Sequence, residues 1–229
     1  MRMIINRYDR GMPTHRPAIL TRSLSFGYGP TDVIADISVH IPYGTVTAIA
    51  GPNGAGKSTL LELMAGVLSP RAGTVERAEP PALVVQHPAA PTSLPLTVRD
   101  VVELGLWARA SSLPATRGAR PKHRAAVVSA IHRVGLEGLE RRPFADLSGG
   151  QRQRALLAQG IVRAPALILL DEPAAGLDAA SRSRTRQILA EEAQRGAAVA
   201  CVTHDPESIA AADRVIRLDS GRAATDPAA

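Results

Sequence analysis

A single cysteine, Cys201, occurs in the 229 residues, so no internal disulfide can form, as expected of a protein from a reducing cytoplasm. Its setting, "CVTH", supplies one thiol and one imidazole, half of a tetrahedral zinc site, and the remaining histidines are scattered; a buried strand cysteine is the expectation. Aromatic residues make up only 3% of the chain, too few for a base-stacking face. The net charge is +6; the basic residues are almost all arginine, are spread along the sequence, and read as solvated faces or proximity to an anionic membrane surface, with no nucleic-acid partner expected. No run approaches the ~18 apolar residues of a membrane span. The N-terminal "MRMIINRYDRGMPTHRP" has no apolar core or small-residue cleavage site and does not read as a secretory signal. Residues 1–17 are expected to be a poorly ordered extension.

What is present is an alternation of strands and helices. Short apolar runs, "AILTRSLSF", "DVIADISVHI" and "TVTAIA", are separated by Gly29-Pro30 and by residues 42–44, as strands joined by turns. "TVTAIA" runs into a glycine loop, and "KSTLLELMAGVL" follows with apolar residues at helical spacing. Thr97 and Asp100 form a capping-box pattern before "VVELGLWARA". A Ser-, Pro-, Gly- and Arg-rich loop, 110–121, precedes a second helix, "KHRAAVVSAIHRVG", closed by Gly135. The runs "ALILLDEP" and "AAVACVTHD", with a helical crossover between them, are expected to be parallel strands buried on both faces. The predicted fold is α/β: a P-loop core with a parallel sheet, an antiparallel β subdomain, a helical insertion over about 88–160 and a flexible tail over 223–229.

Three motifs carry chemistry. In "GPNGAGKST", Gly51 to Thr59, the glycines Gly51, Gly54 and Gly56 let the backbone N–H groups around Pro52, Asn53 and Ala55 wrap a phosphate; Lys57 reaches the β and γ oxygens, and the Ser58 hydroxyl ligates Mg²⁺. "LILLDE" ends a strand with two carboxylates: Asp171 is expected to hold the Mg²⁺ shell from the neighbouring strand, and Glu172 to polarise or deprotonate the attacking water. His204, at the end of the last apolar strand, can donate to the γ-phosphate, and Gln86 ends the strand before the insertion, where it can reach Mg²⁺ or water. "LSGGQRQR", 147–154, is the surprise: a hydroxyl residue, two glycines and a helix form a second anion cradle in a chain that needs only one.

Together these residues resemble the ATP-binding subunit of the ABC ATPase family, from about Ala18 to Arg217, as one ATPase domain over 18–222. The resemblance implies ATP and Mg²⁺ as cofactors and a head-to-tail homodimer in which "LSGGQ" caps the partner's nucleotide. Ser148, Gly149, Gly150 and Gln151 become contacts across the dimer, Asp178 in "AGLD" becomes part of a crossing loop, Gln86 the Q-loop glutamine and His204 the switch histidine. Tyr28 becomes the aromatic that stacks on adenine, with Phe26 a close competitor. Ala174 departs from the threonine that often follows "DEP". A single cassette without heptads resembles importer subunits at the cytoplasmic face of the membrane, partnered by integral-membrane permease subunits and, indirectly, by an extracytoplasmic solute-binding protein. The stretches "GTVERAEPPALVVQ" and "LPLTVRDVVELGLW" are similar to zinc and manganese importers, and less so to importers of iron-siderophore complexes or cobalamin.

Overall fold

The computed structural model describes residues 17–84, 95–107 and 119–225. Two sheets organise them. Strands β1 (Ile19–Phe26), β2 (Ile34–Ile37), β3 (His40–Ile41) and β5 (Ala72–Arg77) make an antiparallel sheet in which β1 pairs with the other three. The second sheet has the order β10-β9-β4-β8-β7-β6 and contains β4 (Val46–Ala50), β6 (Ala82–Val84), β7 (Leu167–Asp171), β8 (Ala198–Val202), β9 (Arg214–Asp219) and β10 (Arg222–Thr225). All its pairings are parallel except β9 with β10.

The continuous apolar runs are explained by burial on both faces. Along β7, Leu167 and Leu169 enter the core shared with the antiparallel sheet and helix α1 (Lys57–Ala65), whereas Ile168 and Leu170 enter the core shared with the helical insertion. β8 divides in the same way: Ala198, Ala200 and Val202 face the first core, Val199 and Cys201 the second. Cys201 is therefore a packed strand residue, and burial pushes its thiol well above the ordinary range.

The insertion consists of α2 (Val98–Trp107), α3 (Ala119–Arg133), a 3₁₀ turn over Phe144–Asp146 and α4 (Gly149–Ile161). The Thr97–Asp100 box forms as predicted, with Thr97 donating to Asp100 Oδ2 from its amide (2.8 Å) and its hydroxyl (2.6 Å). Arg133 of α3 ties the insertion to the core through Glu192 on α5 (Ala179–Gln194), a carboxylate that is 3% exposed. Gln86 and most of the Arg-rich loop lie outside the described residues.

The C-terminus differs from expectation. Ala223–Thr225, expected in a flexible tail, lie in β10, which pairs with β9 from Arg222↔Asp219 to Thr225↔Ile216. The connecting Ser220 (φ 48°) and Gly221 (φ 76°) both have left-handed backbone, the two-residue hairpin turn whose twist matches that of its strands. The Gly221 carbonyl accepts from Ala35 N at 2.8 Å and fastens this hairpin to β2.

Candidate active site: two phosphate cradles

β4 delivers the chain directly into the loop 51–56. Gly54 (φ 81°) and Gly56 (φ 93°) have backbone that side chains rarely adopt, and Gly56 caps α1 with its backbone alone. Among the described residues no side-chain cap closes this helix start, and no acidic residue lies in its first turn. The contrast with the other capped helices is informative: Ser148, Asp178 and Asp205 place side-chain oxygens on the N-termini of α4, α5 and α6 (Pro206–Ala210), respectively. The positive end of α1 is left for an outside anion. Lys57, 7% exposed, lies inside the loop and donates to the carbonyls of Gly51 (3.0 Å) and Pro52 (2.8 Å).

Asp171 ends β7. β8 lies between this strand and β4, so it is not the immediate neighbour that the sequence suggested; α1 closes the gap by bringing the Ser58 hydroxyl into hydrogen bond with the Asp171 carboxylate. Burial pushes the Asp171 carboxyl above its ordinary range, the Ser58 bond opposes this, and the adjacent Glu172 charge adds to it. Its Oδ1 is buried and has no hydrogen-bond partner among the described residues. A buried carboxylate oxygen beside a serine hydroxyl is a hard-oxygen donor set that fits Mg²⁺, and the cation would relieve the cost of burying that charge.

Glu172 has φ 48°, unusual for a residue with a side chain and a strain of about 1 kcal/mol or more. Its backbone is held from both sides: Glu172 N donates to Val202 O (3.0 Å) and Ala175 N donates to Glu172 O (3.2 Å). This turn brings Oε2 within 2.8 Å of His204 Nδ1. The residues flanking His204 are held: Asp205 N donates to Thr203 Oγ1 (3.1 Å), and Asp205 Oδ2 accepts from Ser208 and Arg186. The structure thus brings Lys57, Ser58, Asp171, Glu172 and His204 to the loop ends of the parallel sheet. Tyr28 is 69% exposed beside α1, its hydroxyl 3.5 Å from Thr59 Oγ1 and Glu62 Oε2, while Phe26 packs its ring edge-to-face against Tyr28 and is partly buried.

The second cradle is organised from within its own helix. Ser148 Oγ accepts from Gln151 N (3.2 Å) and Gln151 Oε1 accepts from Ser148 N (3.0 Å), a complete capping box. Asp178, read from sequence as a contact across a dimer, has its two oxygens on Ser181: Oδ1 accepts from the amide (2.9 Å) and Oδ2 from the hydroxyl (2.8 Å). A Cβ on Gly150 would lie 2.2 Å from Ser181 Oγ, so close packing between α4 and α5 requires this glycine; among the described residues a Cβ on Gly149 would meet only Leu177 Cδ2, at 3.9 Å. Gly150→Ala should therefore cost about 1–3 kcal/mol and lower Tm by about 2–4 °C per kcal/mol in a chain of this size. Gly149→Ala should leave Tm unchanged or raise it. Thermal melts of the two proteins check the contrast.

A family model described as "ABC transporter" matches residues 34–175, a span holding both the P-loop and the second cradle. The chain belongs to the ABC transporter family. As an ABC ATPase domain it hydrolyses ATP and takes it with Mg²⁺. Among known ABC proteins, the cassette is 38% identical over 219 residues to the aliphatic sulfonates import ATP-binding protein SsuB of Rhodopseudomonas palustris, covering 93% of this chain and 75% of that protein. It is 37% identical over 208 residues to the zinc import ATP-binding protein ZnuC of Alcanivorax borkumensis, covering 88% and 75%. In structure it is similar to an ABC transporter in an inward-facing conformation, with a TM-score of 0.81 and 29% identity over 93% of this chain and 83% of that one. The relatives confirm an ABC importer's ATP-binding subunit and divide between sulfonate and zinc as cargo. No helix among the described residues is long and apolar enough to cross a membrane.

Proposed function

We propose that two copies of this chain close head to tail around ATP at the cytoplasmic face of a membrane and drive a separate permease that imports a divalent metal cation, zinc or manganese. The observation that carries the dimer is the pair of complementary cradles: α1 has no side-chain cap, while Gly149 leaves an open face where, among the described residues, a Cβ would meet only Leu177 at ordinary contact distance. The two sit against different cores, α1 in the cluster with the antiparallel sheet and Leu147 in the cluster of the helical insertion. A second copy brings them to one triphosphate, so that the γ-phosphate meets two helix N-termini.

In the closed site Lys57 and the amides at the start of α1 hold the phosphates, and Tyr28 stacks on the base. Glu172 takes a proton as water oxygen bonds to Pγ and the bond from Pγ to the bridging oxygen breaks, giving ADP and phosphate. His204 orients the Glu172 carboxylate through Oε2, leaving Oε1 for the water. Ser58, Asp171 and Gln86 would hold Mg²⁺, which supplies charge neutralisation on the β and γ oxygens. Motion passes to the permease through a groove of about 550 Å³ between β6 and the helical insertion, lined by Ala82, Val84, Leu104, Gly105, Leu156 and Gly160. Val84 lies two residues before Gln86, so nucleotide and groove share one short segment.

The metal reading rests on the likeness of residues 73–86 and 94–107 to zinc and manganese importers and on the zinc import relative. A second reading, sulfonate import, is favoured by the SsuB relative. Elemental mass spectrometry under metal limitation, together with growth on an aliphatic sulfonate as sole sulfur source, separates them in a strain lacking the gene. Selective loss of cellular zinc or manganese, restored by wild type but not by Glu172→Gln, is the expected result. Normal metal content with failed growth on sulfonate would transfer the assignment to sulfonate.

A further inference from the structure

We infer that Arg71 is a positioning residue for the base, shaping the loop that presents Tyr28 without itself touching nucleotide. This rests on the proposed role of Tyr28 as the adenine-stacking ring. The loop between β1 and β2 contains Gly27, Gly29 and Pro30, and its own composition gives it little reason to hold one shape. At 69% exposure, Tyr28 is not fixed by burial either. The ends of the loop are joined by Val33 N donating to Phe26 O at 2.7 Å, and Arg71, just before β5, constrains the residues between them. Its Nη1 donates to Asp32 Oδ1 at 2.6 Å, its Nη2 donates to the carbonyls of Gly27 (3.1 Å) and Gly29, and its backbone N–H donates to Ser25 O at 2.9 Å.

One planar group therefore spans the loop from Gly27 to Asp32, and the two carbonyls it binds belong to the residues on either side of Tyr28. The ring is braced elsewhere by Phe26, with centroids 5.1 Å apart at 88°, and by its hydroxyl near Glu62. Preorganisation of this kind raises affinity by lowering the ordering cost of the bound state, with no contact to the ligand. A lysine would keep the charge but could not span Asp32 and two carbonyls at once, because its ammonium is a compact point charge without the planar fork.

The test compares equilibrium binding of MgATP and of magnesium tripolyphosphate, which has phosphates but no base, to the full-length wild type, Arg71→Ala, Arg71→Lys, Asp32→Asn, Tyr28→Ala and the Tyr28→Ala/Arg71→Ala double variant. Arg71→Ala should weaken ATP by about five-fold, leave tripolyphosphate unchanged and add nothing to Tyr28→Ala. Arg71→Lys should recover little, and Asp32→Asn, which removes only the exposed ion pair, should lose part of the same increment. If Tyr28→Ala leaves ATP binding unchanged, the stacking reading itself fails. If Tyr28→Ala weakens ATP but Arg71→Ala does not, or weakens both ligands equally, or adds fully to Tyr28→Ala, the positioning role of Arg71 alone is overturned. Full recovery by lysine would overturn the fork.

Discussion

Glu172→Gln should lower steady-state ATP hydrolysis by about 100- to 1,000-fold while retaining ATP, so that closed dimers accumulate. The substitution preserves side-chain volume and a hydrogen-bonding oxygen but removes the group that accepts the water proton. It leaves the backbone constraints intact: the φ of 48° is imposed by the bonds to Val202 O and from Ala175 N, neither of which involves the carboxylate. The 2.8 Å contact with His204 Nδ1 can survive through the amide oxygen, so the imidazole keeps its place. Loss of turnover without loss of fold or nucleotide is therefore the signature of a missing base, and size-exclusion chromatography with ATP should show a dimer that wild type holds only transiently. Undiminished steady-state hydrolysis would remove Glu172 from the mechanism.

The parts of this site that sequence reading foresaw are those whose geometry is local. The strand, loop and helix of 45–65 follow from a glycine spacing and a change of hydrophobic period, the start of α4 from a hydroxyl residue before two glycines, and the box at Thr97–Asp100 closes within one helical turn. Strand order is not local: a crossover can return to either side, and nothing in "LILLDE" says that β8 will lie between β7 and β4. Asp178, read as part of a dimer-crossing loop from the resemblance of "AGLD", also caps α5 through Ser181 three residues on, a local pattern that the sequence carries as well. The β9–β10 hairpin escaped because Ser-Gly is a weak turn signal and the sequence after it is short and bland. Arg71 and Asp32 are 39 residues apart and meet only because β1 and β5 pair, a proximity that no motif encodes.

The remaining question is whether Ser148 serves its own helix, the partner's ATP, or both, and the chemistry of capping separates the roles. Ser148 Oγ accepts from Gln151 N, which leaves the hydroxyl proton to donate outward. Asp and Asn cap helices about as well as Ser, so Ser148→Asp and Ser148→Asn should both retain Tm within about 1–2 °C. They differ in what they present to a phosphate. Asparagine keeps a donor and no charge, whereas aspartate has no donor and sets a negative charge where the γ-phosphate of the partner's nucleotide must approach. Ser148→Asp should still bind ATP as a monomer through α1 and Lys57, yet weaken ATP-driven dimerisation and cooperative hydrolysis by about 100-fold or more; Ser148→Asn should keep a substantial part of both. If the serine were only a cap, the two variants would behave alike. Analytical ultracentrifugation with and without ATP, run on Glu172→Gln so that hydrolysis does not reopen the dimer, reads this difference directly, and normal closure by Ser148→Asp would refute a phosphate contact at this helix start.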